Sequence, residues 1–199
     1  MTTTAASFAA PGGTSGAGEL LQLMLDGTPR TRAELIRMTG LARSTVGARV
    51  DALLAAGLLT PSGEAASTGG RPPARLAFNP DAGVVIGVDV GATHALVALT
   101  DLRARVLDEA ALTLDVTAGP KAVLDQVART SRALLKSAGR SRADLAGVGI
   151  GLPGPVEHST GRPVLPPIMP GWDNYDVPDH VMAALGGPAP VDNDVTIPP

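Results

Sequence analysis

A mainly α head followed by an α/β lobe is the fold class the sequence predicts, and three observations carry the prediction. Before Phe78 the apolar residues recur at helical spacing and the runs are closed by glycines; after it they fall in strand-like runs joined by glycine and proline turns. Charge divides at the same place. Residues 1–78 carry seven arginines against five acids (+2) and residues 79–199 carry nine lysines and arginines against fourteen acids (−5), which together give the chain its net −3. Finally, 199 residues are enough for two units, each with a core of its own.

Those cores have an unusual composition, because 44% of the residues are hydrophobic but only 2% are aromatic, so Ala, Val, Leu and Ile must do the packing. The absence of cysteine excludes disulfides, thiol catalysis and thiolate metal sites within these residues. A cytoplasmic protein without metal or cofactor is expected. The opening "MTTTAASFAAPGGTSGAG" lacks the basic start and sustained apolar run of a signal peptide, and residues 1–17 are expected to form a disordered tail. Asp89 and His94 interrupt the best apolar stretch, so no membrane span is expected.

The head, residues 18–78, opens with "ELLQLMLDG", a short apolar helix that Gly27 should end. Thr31 followed three residues later by Glu34 has the form of a capping box, which predicts a helix from there to about Gly40. The next helix should run from about Arg43 to Ala56, with Val46, Val50, Leu53 and Leu54 on one inward stripe. Its capping position is Ala42, which has no side-chain acceptor for the helix start. Two short helices joined at a glycine form a helix-turn-helix, whose second helix presents its first residues to the major groove. Arg43 and Arg49 suit phosphate or a guanine edge, Ser44 and Thr45 suit phosphate or base, and Gly47 and Ala48 allow close approach. Beyond it, "GLLTPSGEAASTGGRPPARLAF" has strand-like ends around a Gly-, Ser- and Pro-rich connection, as a wing does. Arg71, between a flexible Gly pair and a stiff Pro pair, is either a minor-groove probe or an ordinary loop cation. On the helices alone, a plain three-helix bundle with solvated arginines remains the alternative.

In the rear, "GVVIGVDVG", "HALVALTD" and "RVLDEAALTLD" predict three antiparallel strands. A helix over about Pro120–Ala138 follows, with Val123, Leu124, Val127, Leu134 and Leu135 inward; then come the strand and turn of "DLAGVGIGLPGPV", a helix near Pro178–Leu185 and a strand edge at "APVDNDV". That order describes one lobe of the actin-like, ribonuclease H-like ATPase fold. In such a lobe "DVGAT" is the first phosphate loop: Asp89 orients a metal-bound water, while Gly91, Ala92 and Thr93 offer amides and a hydroxyl to phosphate. A tight hairpin also favours glycine there. His94 is expected as a half-buried polar side chain of its strand, and Trp172 and Tyr175 as packing residues, with stacking on a sugar ring the alternative.

The order and spacing of "GLARSTVGARVDALLAAGLL", "GGRPPARL", "GVDVGATHALVALTDL", "GVGIGLPGPVEHSTGRPV", "PGWDN" and "VDNDV" resemble the ROK family, named for its repressors, open reading frames and sugar kinases. The resemblance runs from about Glu19 to Asp194. The winged head is found in the repressor branch, so it implies a sequence-specific regulator of sugar metabolism that binds double-stranded operator DNA as a homodimer, with a sugar or sugar phosphate as effector. It also implies sugar-binding roles for Gly154, Asn193 and Asp194, with Asp194 at the place of the kinase general base. Three departures count against catalysis. Ala92 and His94 stand where kinases carry Gly and Lys, Asp192 stands where they carry Glu, and family members are about twice this length. Residues 82–199 are therefore expected to be a truncated lobe, with Asp194 inactive and no catalytic residue. The alternatives are an ATP-dependent sugar kinase with an added head, or a ligand or partner module that does not bind DNA.

Overall fold

The computed structural model describes residues 16–64 and 73–193. The expected tail, the loop holding Arg71 and the end holding Asp194 lie outside them, although Ala17, expected in the tail, is the buried first residue of a helix. The chain divides into two compact units, at Ala82 and Gly83.

The head contains helix α1 (Ala17–Gln22), strand β1 (Arg30–Thr31), helices α2 (Arg32–Thr39) and α3 (Arg43–Ala55), and strands β2 (Leu59–Glu64) and β3 (Ala74–Phe78). Helix α1 stops at Gln22, earlier than the sequence suggests, and turns carry the chain from there to Gly27. The capping box of α2 forms in full: the Glu34 amide donates to the Thr31 hydroxyl at 3.2 Å, and the Thr31 amide donates back to the Glu34 carboxylate at 2.7 Å. Gly40 ends α2 at φ 67°, a left-handed turn that glycine makes without a Cβ penalty. Val46, Val50 and Leu53 of α3 are buried as a stripe with Leu20, Met24 and Leu35, while Leu54 is half-buried at its margin. Strands β2 and β3 pair antiparallel, and β3 also pairs with the two-residue β1, in the order β1-β3-β2. Three helices with a β2–β3 hairpin and a short third strand make a winged helix-turn-helix.

The rear unit is built on a five-stranded sheet in the order β10-β7-β4-β5-β6. Strands β4 (Val84–Val90), β5 (His94–Asp101) and β6 (Val106–Thr113) are antiparallel neighbours; β7 (Leu145–Leu152) lies parallel to β4, and β10 (Val191–Asn193) parallel to β7. A short hairpin, β8 (Val156–Glu157) with β9 (Arg162–Pro163), follows β7. Helix α4 (Pro120–Ser137) joins β6 to β7, and α5 (Val177–Leu185) leads into β10. Proline at the first turn of each helix fits a place where an N–H would have no helical partner. Val84, Ile86, Val88 and Val90 alternate inward along β4 and form a core with Val97, Leu99, Val123, Val127, Val181 and Leu185. Gly87 and Asp89 face the other way.

One buried acid closes the β5–β6 turn. Asp101 is 2% exposed and accepts the amides of Arg103 at 2.8 Å and Arg105 at 3.0 Å, and the Arg105 Nε at 3.1 Å. Burial alone would raise its pKa, but these donors outweigh burial and hold the carboxyl below its ordinary 3.8. A depressed folded-state pKa gives stability that is complete above that ordinary value and is lost as the pH falls through the lower one. The melting midpoint of the rear lobe is therefore expected to drop in acid below about pH 4, and the drop to be smaller in Asp101→Asn. Calorimetry across pH 2–7 checks this; an unchanged acid profile in the variant would refute it.

Candidate DNA interface and sugar-pocket residues

The first turn of α3 starts without a side-chain cap. Ala42 sits at φ −59°, ψ 146° and accepts no helix amide on its side chain, so the N–H groups of the turn are left to other partners. Arg43, Ser44 and Ala48 are exposed, Thr45 and Gly47 half-buried, while Val46 and Val50 fix the helix to the core. Arg43 has no hydrogen-bond or ion-pair partner among the described residues. Arg49 is placed differently from Arg43. Its guanidinium reaches back along the head to the Glu19 carboxylate at 3.5 Å and lies so close to Gly16 that a Cβ there would fall 1.9 Å from it. Glycine at 16 is thus a requirement of the arginine's position, a link that sequence spacing does not reveal. Neighbouring Arg32 pairs with Asp51 of α3 at 2.7 Å. Arg71 belongs to the undescribed part of the wing.

In the rear unit, "DVGAT" is the β4–β5 turn. Asp89 is exposed on the sheet face opposite the core, and Ala92 and Thr93 are exposed in the loop. The Gly91 amide donates to the His94 carbonyl at 2.8 Å, and the Val116 amide to the Ala92 carbonyl at 3.0 Å. His94 is exposed, contrary to the half-buried position expected: it begins β5 with its side chain over Gly91, where an added Cβ would meet the ring at 2.8 Å. A Cβ at position 91 would displace the histidine ring, so glycine there allows its close approach.

Gly154 and Asn193, separated by 39 positions, come together: the Asn193 side-chain amide donates to the Gly154 carbonyl at 2.8 Å. Gly154 is buried where a Cβ would stand 2.9 Å from Pro166 and 3.1 Å from the Met169 sulfur. Asp194 follows directly but is outside the described residues. The sheet register adds a feature that spacing does not show. Asp89 and Asp192 both pair with Gly151, so the two carboxylates flank a glycine in one row of the sheet. They border a concavity of about 1110 Å³ that Gly87, Leu96, Ala98 and Met182 also line. His158 approaches Asp192 at 3.5 Å from the β8–β9 turn.

Trp172 is a packing residue, as expected. It is fully buried, and its indole N–H donates to the Val116 carbonyl at 3.0 Å. Tyr175 donates or accepts at His180 Nδ1 over 2.9 Å, and His180 Nε2 meets Asp125 at 3.2 Å, tying α5 to α4. Lys121, 2.7 Å from Asp125, together with burial and His180, sets the balance at that carboxyl, whose pKa is lowered chiefly by the lysine.

A winged helix-turn-helix followed by an actin-like α/β lobe defines the class of this protein. The sequence pattern of the ROK family matches residues 85–197, more than half of the chain, which therefore belongs to that family. Among curated relatives it is 30% identical to the xylose repressor of Bacillus spizizenii over 175 residues, 88% of this chain and 45% of the relative. A putative xylose repressor of Caldicellulosiruptor sp. is 27% identical over 88% of this chain and 44% of its own length. A transcriptional regulator of Mycobacterium tuberculosis is 32% identical over 84% and 37%. The chain spans less than half the length of these relatives. In fold it matches the crystal structure of a ROK family transcriptional regulator described as a homologue of the E. coli MLC protein, with a TM-score of 0.74 at 22% identity over 89% of this chain and 45% of that one. No described helix is long and apolar enough to cross a membrane.

Proposed function

We propose that this chain acts in a sequence-specific transcriptional regulator, a repressor of sugar-utilisation genes, whose head binds operator DNA. A sugar or sugar phosphate is the effector of the rear lobe. The observation that carries this reading is the start of α3, which a winged helix-turn-helix leaves exposed with Arg43 and Ser44 free to meet a duplex. The relatives named as xylose repressors support it and make a pentose the first effector to try. The bond from Asn193 to Gly154 supports a sugar pocket at the end of β7 and β10, because it joins two of the residues to which the resemblance gives sugar contacts. Ala92 in the first loop, where the family's kinases carry glycine, weighs against a working phosphate clamp and so against the kinase reading.

Mobility-shift titration against duplex fragments taken from beside the protein's own gene tests the proposal. Saturable, sequence-selective binding is expected. It should weaken with salt as phosphate contacts release counterions, and it should weaken in Arg71→Ala. Binding that is absent, or equal for every sequence, would overturn the reading. Two-fold operators also require two copies of the head, so the complex should carry two chains per site by light scattering.

A further inference from the structure

We infer that the head holds a second oxyanion site, formed by Arg37 and Arg75 beside β1 and distinct from the start of α3. The two arginines line a concavity of about 530 Å³ with Thr28, Arg30, Glu34 and Met38. Register places them there. Arg75 lies opposite Thr31 across the β1–β3 pair, and Thr31 caps α2. Glu34, Arg37 and Met38 follow at i, i+3 and i+4 along one flank of that helix.

The other charged groups of the concavity are already committed. Arg30 binds Asp26 through two bonds of 2.8 and 2.6 Å, and Glu34 receives the Thr31 amide at 2.7 Å and its hydroxyl at 2.9 Å. Glu34 is held below the ordinary carboxylate range, first by the backbone bond and then by the hydroxyl, with the charges of Arg75 and Arg37 adding to it. Arg37 and Arg75 themselves have no hydrogen-bond or ion-pair partner among the described residues. The Nε of Arg75 is buried and lacks an acceptor. A buried donor on a charged group is costly to leave unmade, and an oxyanion seated in the concavity would supply the missing acceptor. A guanidinium donates in a planar fork that matches the oxygens of a phosphate. With Arg30 neutralised by Asp26, Arg37 and Arg75 against Glu34 leave the concavity at +1, a balance that still favours an oxyanion. The phosphate belongs either to a duplex backbone or to a free phosphorylated small molecule. Only the first source rests on the proposed DNA binding.

Arginine-detected NMR, with inorganic phosphate titrated at constant ionic strength, reads the site directly. The Arg75 Nε–H resonance is expected to shift saturably. Binding, followed in the variants by the backbone amide shifts of Thr31 and Glu34 beside the concavity, should weaken at least about tenfold in Arg37→Gln with Arg75→Gln, as expected when paired charge-assisted bonds are removed. Arg37→Gln alone changes an exposed helical side chain, so it should weaken phosphate binding without altering the thermal melt. No shift at Arg75, or equal binding by the double variant, would overturn the inference. Repeating the titration with the operator duplex separates the sources. A backbone phosphate displaces inorganic phosphate, and the double variant then lowers the slope of log K against log salt by about one to two. A free ligand leaves that slope unchanged, and glucose 6-phosphate or xylose 5-phosphate competes in its place. Because the first titration contains no DNA, failure of this site and failure of the DNA-binding reading are distinguishable.

Discussion

Replacing Trp172 by alanine is expected to cost the rear lobe about 3–5 kcal/mol, the range for truncating a fully buried large aromatic. The side chain is completely enclosed in a core otherwise made of small and aliphatic residues, so little nearby can collapse into the space. Its removal also unmakes a buried bond, because the indole N–H donates to Val116 over a separation of 56 positions. Val116 in turn donates its own amide to the Ala92 carbonyl. Trp172 therefore supports the "DVGAT" turn through Val116. Denaturant unfolding, followed by a probe in each unit, should show the rear transition moving while the head transition stays in place, since the chain divides into two compact units. Trp172→Phe keeps most of the volume and loses the bond, so its cost should be nearer 1–2 kcal/mol. Equal stability of Trp172→Ala and the parent chain would refute the role assigned to this residue.

Local chemistry is what the sequence displayed. The Thr31–Glu34 capping box, the glycine stop at 40, the inward stripe of α3 and the alternation along β4 each depend on residues within one or two turns, and each forms as read. The lobe was legible for the same reason, because its strands and helices follow one another with short connections and clear changes of period. What escaped depends on partners far away in the chain. Nothing near Arg49 announces Glu19, nothing near Trp172 announces Val116, and β1 is two residues long with no pattern of its own. His94 was misplaced because alternation assigns a face to each strand residue but not the exposure of the strand's first position, where the ring lies over Gly91. The meeting of Gly154 and Asn193 was available only through resemblance; the register that puts Asp89 and Asp192 on either side of Gly151 required the sheet itself.

The same distinction separates two arginines that the sequence treats alike. On the proposed reading, Arg43→Ala should reduce operator affinity by about 1–3 kcal/mol, roughly 5- to 150-fold, the usual value of a good base or phosphate contact at a recognition helix. Arg43 is exposed at the first position of α3 and is not held by another part of the head. Arg49 lies six residues, somewhat under two turns, further along, with its guanidinium on Glu19 and against Gly16, so using it on DNA means first releasing it from α1. Glu19 is itself 81% exposed, and an ion pair of that kind is weak, so the pair restrains Arg49 only modestly. The greater difference is exposure: the Arg49 side chain is only 21% exposed whereas Arg43 is open to solvent, so Arg49→Ala should weaken binding less than Arg43→Ala, and Glu19→Gln, which frees the guanidinium, should strengthen binding slightly at low salt. Competition titrations of the three variants against one operator fragment decide the matter. A loss in Arg49→Ala as large as that in Arg43→Ala would mean that α1 lets the arginine go when DNA arrives, and that the groove-facing surface extends a full turn further along α3 than its unbound form displays.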